Sequence, residues 1–236
     1  MAAVEPAAAH HDHHADVSGG WLRAATFGAM DGLVTNIALI AGVGGGGVSP
    51  GTLVLTGVAG TVAGAVSMGL GEYTSVRVQN EQVAGEVERE RRELARHPEA
   101  EAAEIAEVWI RRGLPADLAH AVADVLRRHP EEALRVHVRE ELGVEPDALP
   151  SPWTAAVSSF LCFAVGALVP LLPYLVGLPH LWLALAVGGC GLVGAGLLVA
   201  RFTGRPPWRS ALRQLLLGAA AAAVTYLVGA WIGVHV

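Results

Sequence analysis

The sequence predicts an all-α membrane protein with an acidic helical domain inserted between its second and third spans. Three observations carry this. Hydrophobic residues make up 53% of the 236 positions and charged ones only 16%, with a mean hydropathy of +0.45, a balance that points to a membrane protein. The apolar residues gather in five stretches, 24–43, 52–71, 153–179, 181–200 and 214–234, each near the ~20 residues that cross a ~30 Å hydrocarbon layer. Residues 77–147 hold 17 of the 22 acidic side chains, and the last four apolar stretches hold no charged residue at all.

The chain divides into a tail over 1–20, spans one and two over 21–76, the polar insert over 77–150, and spans three to five over 151–236. The tail, "MAAVEPAAAHHDHHADVSGG", has acids and histidines where a cleavable signal would have a basic start. It reads as a disordered segment whose histidines either gather cations or are incidental.

Span one follows Arg23 and contains Asp31. An ionisable group inside hydrocarbon is a functional candidate, because its insertion cost must be offset by something. Thr35 and Asn36 follow one turn and one and a half turns along. Span two ends "AVSMGLGEYTSVR", which puts Met68 and Glu72 one turn apart on one face. A carboxylate beside a thioether suits a borderline, polarisable ion such as Fe²⁺ better than Mg²⁺ or Ca²⁺. Asp31, Asn36, Met68 and Glu72 are therefore the candidate pathway residues.

Gly60-x-x-x-Gly64 in span two reads as a helix dimer face. Five spans give no pair of equal halves, so a two-fold homodimer is expected to supply the symmetry. Pro170 and Pro173 are expected to break span three near its outer end. Cys162 and Cys190 lie within spans and read as packing residues.

The insert carries the protein's whole formal charge of −6, which argues for cations and against a nucleic-acid partner. "EQVAGEVERERRELARH" continues span two without punctuation, so the second helix is expected to project well beyond the membrane. Pro98, Pro115 and Pro130 each open a further helix, and Gly113 and Gly143 close two of them. Glu86, Glu90 and Glu93 share a face of the projecting helix. Glu101 and Glu104 share one on the next helix. His137 and Glu141 lie four apart on the last, beside Glu140. These rows either converge on divalent cations or are solvated faces with pairs such as Glu88/Arg92 and Glu107/Arg111. Glu-x-x-His does not occur, which weighs against a di-iron oxidase. A P-loop, Rossmann glycines and a nucleophile motif are also absent, so neither an enzyme nor a prosthetic group is expected.

Charge placement sets the expected topology. Arg23, Arg77 and the group Arg201, Arg205, Arg209 and Arg213 alternate with uncharged connections. The positive-inside rule then puts the N-terminus, the insert and the 201–213 loop in the cytoplasm, and the C-terminus outside.

"GAMDGLVTNIALIAGV", "AGAVSMGLGEYTSVRVQNEQ" and "ERERRELARHPEAEAAEIAEVWIRRGL" closely resemble the vacuolar iron transporter family in its bacterial branch, from about residue 21 onward. The resemblance implies five-span homodimers in a bacterial inner membrane that export Fe²⁺, and in some cases Mn²⁺, in exchange for protons. It implies Asp31 and Met68 in the path, with Glu72 in the same stretch. Glu90, Glu93, Glu101, Glu104 and Glu141 become the implied metal ligands. His137 stands near a position where the family has methionine, and Met30 where asparagine is usual. The alternative function is a membrane-anchored metal sensor or buffer that binds without transport.

Overall fold

The computed structural model describes residues 20–145 and 148–235. The histidine-containing tail, apart from Gly20, lies outside the described residues. Every regular element is helical: α1 (Trp21–Gly45), α2 (Pro50–Arg96), α3 (Pro98–Arg111), α4 (Ala116–Arg127), α5 (Pro130–His137), α6 (Pro152–Leu168), α7 (Leu172–Leu175), α8 (Leu181–Thr203) and α9 (Pro207–His235). Among the described residues five helices, α1, α2, α6 with α7, α8 and α9, are long and apolar enough to cross a membrane. Their positions agree with the five apolar stretches.

The helix starts follow local chemistry. α2 and α6 begin with the same device: Ser49 and Ser151 accept the N–H of Thr52 and Thr154, and Pro50 and Pro152 occupy the first helical position. Proline is favoured there because its missing N–H would have no helical partner anyway. α2 then runs for 47 residues without a break, about 70 Å at 1.5 Å per residue. The predicted break in span three is present. α6 stops at Leu168, tightens to a 3₁₀ turn over Val169–Leu171 and resumes as α7.

The spans pack through small residues. A Cβ on Gly28 or Gly32 of α1 would strike the backbone of Ser159 or Phe163 on α6, and one on Gly166 would strike Ala29 in return. α1 and α9 cross equally closely where Gly42 and Gly46 meet Gly229 and Gly233. With little hydrophobic drive between helices in lipid, close backbone approach supplies the attraction. Gly60 and Gly64 differ from the sequence expectation. They face inward, Gly60 against Leu39 and Asn36 and Gly64 against the Phe163 ring. The motif serves contacts within one chain, because the bulky side chains of α1 and α6 need the space on that side of α2.

Beyond the spans, the distal half of α2 receives α3 and α5, and α4 packs on those two. Ile105, Ala106, Ala119 and Ala123 form a small core with Trp109, Leu114 and Val136 packed around it. Gly113, at φ 97°, turns the chain between α3 and α4. The last helix reaches Gly143 as expected, but its final turn widens into a π-type turn over Val138–Leu142.

Candidate metal centre

Four of the predicted ligands meet. One ligand atom from each of Glu90, Glu101, His137 and Glu141 lies within 4.8 Å of the others. α2 brings Glu90, α3 brings Glu101, and α5 with its π-type turn brings His137 and Glu141. His137 is 1% exposed, held beneath the three carboxylates. Its Nδ1 stands 3.0 Å from Glu90 Oε1, 3.2 Å from Glu141 Oε1 and 3.7 Å from Glu101 Oε2. The π-type turn sits where Glu141 must fold back toward the imidazole, and such turns cluster at functional sites.

Three carboxylates around one imidazole hold more negative charge than the site neutralises. Glu90 Oε1 is buried and accepts no hydrogen bond among the described residues. Burial, followed by the Glu141 carboxylate, pushes Glu90 up to about 6, with His137 opposing. Burial also raises Glu101, reinforced by Glu104, Glu141 and Glu93 and opposed by His137. Buried acids raised by burial and by neighbouring carboxylates are frequent at functional sites. Carboxylate oxygens with one imidazole nitrogen suit a borderline divalent ion.

The other predicted ligands stand apart from these four. Glu93 and Glu104 act on the cluster through their charge, and Glu93 also lies 3.9 Å from His97. Glu86 is taken by Arg89 at 2.8 Å. Glu140 points to the other side of the π-type turn, where Arg112 holds it and in turn lies over the Trp109 ring. The solvated-face pairing is real elsewhere: Glu107 meets Arg111 at 3.7 Å, and the Glu88 carboxylate meets Arg91, while Arg92 Nε donates to the Glu88 backbone carbonyl at 3.2 Å.

Within the spans the pathway candidates have separate neighbours. Asp31 is partly buried and accepts a 3.3 Å hydrogen bond from Thr35 Oγ1. Met68 packs on Ala65, Phe163 and Ala167. Glu72 is buried and bound by Arg23 at 2.8 Å. Asn36 is buried, and its Nδ2 donates to Ala167 O at 2.6 Å, to Thr61 Oγ1 at 2.8 Å and to Gly57 O at 3.4 Å. It thus ties α1 to α2 and α6 beside the break after Leu168.

Residues 22–230 match the model of the VIT family. The chain belongs to the VIT family. A rice relative named vacuolar iron transporter 1 is 36% identical over 94% of this chain and 91% of its own length. The Arabidopsis thaliana protein of the same name is 35% identical over 91% and 88%. A vacuolar iron transporter of Acanthamoeba castellanii is 35% identical over 89% and 78%. Family membership and the five apolar helices make this VIT-family chain an integral membrane protein.

Two contacts of this VIT-family chain escaped sequence reasoning. Arg23 was legible as a charge marking a membrane face, but its grip on Glu72 joins residues 49 apart. Arg112 on Glu140 bridges α3 and the π-type turn in the same way. Neither pair has a fixed spacing, so only the fold reveals them.

Proposed function

We propose that this protein carries divalent metal ions across a membrane, Fe²⁺ first among them and Mn²⁺ as a second substrate, moving them out of the cytoplasm in exchange for protons. The observation that carries this reading is the Glu90, Glu101, His137 and Glu141 cluster, tied through Glu90 to the same unbroken helix that carries Met68 and Glu72 in the membrane. Relatives over nearly the whole length are named iron transporters, and that supports iron as the cargo. The acidic insert raises the local cation concentration at the cytoplasmic side, the cluster captures the ion, and Asp31, Met68 and Glu72 receive it. Protons arriving from the far side neutralise carboxylates and release the metal. Two copies related by a two-fold axis bring the α1 and α2 faces together as the pathway. Glu72 must leave Arg23 before it binds metal, so the ion pair holds the mouth shut in the unloaded protein.

The test is a proteoliposome assay following Fe²⁺ entry with and without a pH gradient. Asp31→Ala abolishes transport, whereas Glu90→Ala lowers it at limiting metal and leaves the path intact. Transport by Asp31→Ala equal to the unsubstituted protein refutes the pathway. Metal bound stoichiometrically with no flux under any gradient establishes the sensor or buffer reading instead.

A further inference from the structure

In an α-helix, with about 3.6 residues to the turn, the third and the fourth residue beyond His137 both lie near its face. Glu140 and Glu141 hold those two positions, so a regular continuation of α5 brings both carboxylates to the imidazole. Only Glu141 arrives, its Oε1 3.2 Å from His137 Nδ1. Two features make the selection. The turn over Val138–Leu142 is π-type, and with i→i+5 hydrogen bonds each residue advances by less than in an α-helix. Glu140 therefore falls further short of a full turn and swings off the His137 face, while Glu141 stays over it. Arg112, the residue that ends α3, then forms an ion pair with Glu140 on that far side.

The pair is built to hold. The Glu140 side chain is only 9% exposed, and a buried carboxylate stripped of its partner is costly. Arg112 is fixed from two further directions. Its guanidinium lies 5.3 Å from the centroid of the Trp109 ring, a favourable seat for a cation, and its backbone N–H donates to the carbonyls of Val108 and Trp109. Trp109 in turn packs on the core of Ile105 and Ala106. Arg139, next to Glu140 in the chain, is engaged with Glu145 at 3.1 Å.

We propose that Arg112 is a positioning residue that sets the metal preference of the cluster: by holding Glu140 behind the π-type turn, it withholds a fourth carboxylate and keeps the donors at three carboxylates and one imidazole. This rests on the reading of the cluster as a metal centre. Imidazole suits Fe²⁺, whereas carboxylate oxygens suit Mn²⁺, Mg²⁺ and Ca²⁺. Freed from Arg112, Glu140 is a nearly buried anion one residue from a ligand of the cation, and it turns to the metal. Its added oxygens shift the site toward the harder ions.

Competition between Fe²⁺ and Mn²⁺ for the full chain in detergent, read anaerobically by equilibrium dialysis and metal analysis, tests this. Arg112→Gln lowers the preference for Fe²⁺ over Mn²⁺ about tenfold, the lower end of what a supporting group around a metal site costs. Arg112→Lys, which keeps the charge but loses the planar fork, shifts the ratio the same way by less. Adding Glu140→Gln to Arg112→Gln removes the freed carboxylate and restores the preference. A role confined to stability gives no such restoration, because the double variant lacks the ion pair as well. Co²⁺ in place of the metal reports the donor set: its visible absorption changes in Arg112→Gln and returns in the double variant. Circular dichroism verifies that each variant is folded. Folded Arg112→Gln and Arg112→Lys proteins with the unsubstituted ratio and spectrum overturn the inference and leave the metal centre standing. So does a double variant whose ratio stays as low as that of Arg112→Gln. Metal binding that Glu90→Ala does not weaken overturns the metal centre itself, and this inference with it.

Discussion

At the residue scale, His137 and Glu90 decide how the cluster behaves. His137 is the buried hub, and removing it leaves three carboxylates facing one another with no donor among them. His137→Ala is expected to weaken metal binding by more than the ~10–100-fold that even a supporting group costs, as measured by calorimetric titration. Glu90 holds its proton more tightly in the folded protein than in the unfolded chain. Between about 4.5 and about 6 the folded state therefore binds more protons than the unfolded one. The metal-free protein consequently loses stability as pH rises through that window. Glu101, Glu104 and Glu141 act in the same direction on Glu90, while His137 acts against them. Glu90→Gln should accordingly raise the melting temperature of the metal-free protein near neutrality and abolish most of its metal binding. Because ligands must be deprotonated, metal affinity should fall as pH drops below about 6, with proton uptake on metal release. Titrations in buffers of differing ionisation enthalpy read that proton count directly.

At the element scale, the helix contacts make opposite forecasts for two glycines of the spans. Gly32→Ala drives a methyl into the backbone of α6, where neither helix yields cheaply, and should cost about 1–3 kcal/mol. Gly71 lies in open space on α2, so Gly71→Ala should be neutral or stabilise by up to about 1 kcal/mol through helix propensity. Thermal melts in one detergent compare the two. Asn36→Ala removes three donor contacts at the α6 break and leaves Ala167 O without that partner, a loss of about 1–3 kcal/mol. Much of this scale was legible in advance. The five spans, the proline-opened helices, the long second helix and the break near Pro170 all follow from runs of apolar residues and from proline. The inward turn of Gly60 and Gly64 was not legible. Glycine spacing reports that something approaches closely, and only three-dimensional packing tells whether that something is Phe163 of the same chain. The cluster was half legible: spacing placed His137 and Glu141 on one face, but the π-type turn that closes them on Glu90, and the turning away of Glu140 to Arg112, depend on tertiary contacts.

At the scale of the whole molecule, charge is sorted into three tiers. The insert is acidic, the spans are almost empty of charge, and the rim of α1, α8 and α9 is basic. Arg23 and Glu72 form the one ion pair among the described residues that links α1 to α2. If this pair closes the mouth, Arg23→Gln should increase Fe²⁺ flux at low metal in the proteoliposome assay while leaving binding at the distant cluster unchanged. A drop in flux would mean that Arg23 guides Glu72 instead of restraining it. Asn80 Nδ2 also donates to Pro150 O at 2.9 Å, anchoring the return of the chain from the insert to α2.

The unbroken length of α2 has a mechanical consequence. Glu72 and Glu90 are eighteen residues apart on one helix with no hinge between them, a rod segment of about 27 Å. Pivoting that rod by about 10° where it leaves the bilayer sweeps its Glu90 end sideways by about 5 Å, by the geometry of a 1.5 Å rise per residue. That sweep equals the 4.8 Å span of the four ligand atoms. If the cluster binds metal as proposed, and if α3 and α5 keep their places while α2 tilts, so short a travel at the membrane would be enough to open or close its grip, and posture in the bilayer would be tied to hold on the ion.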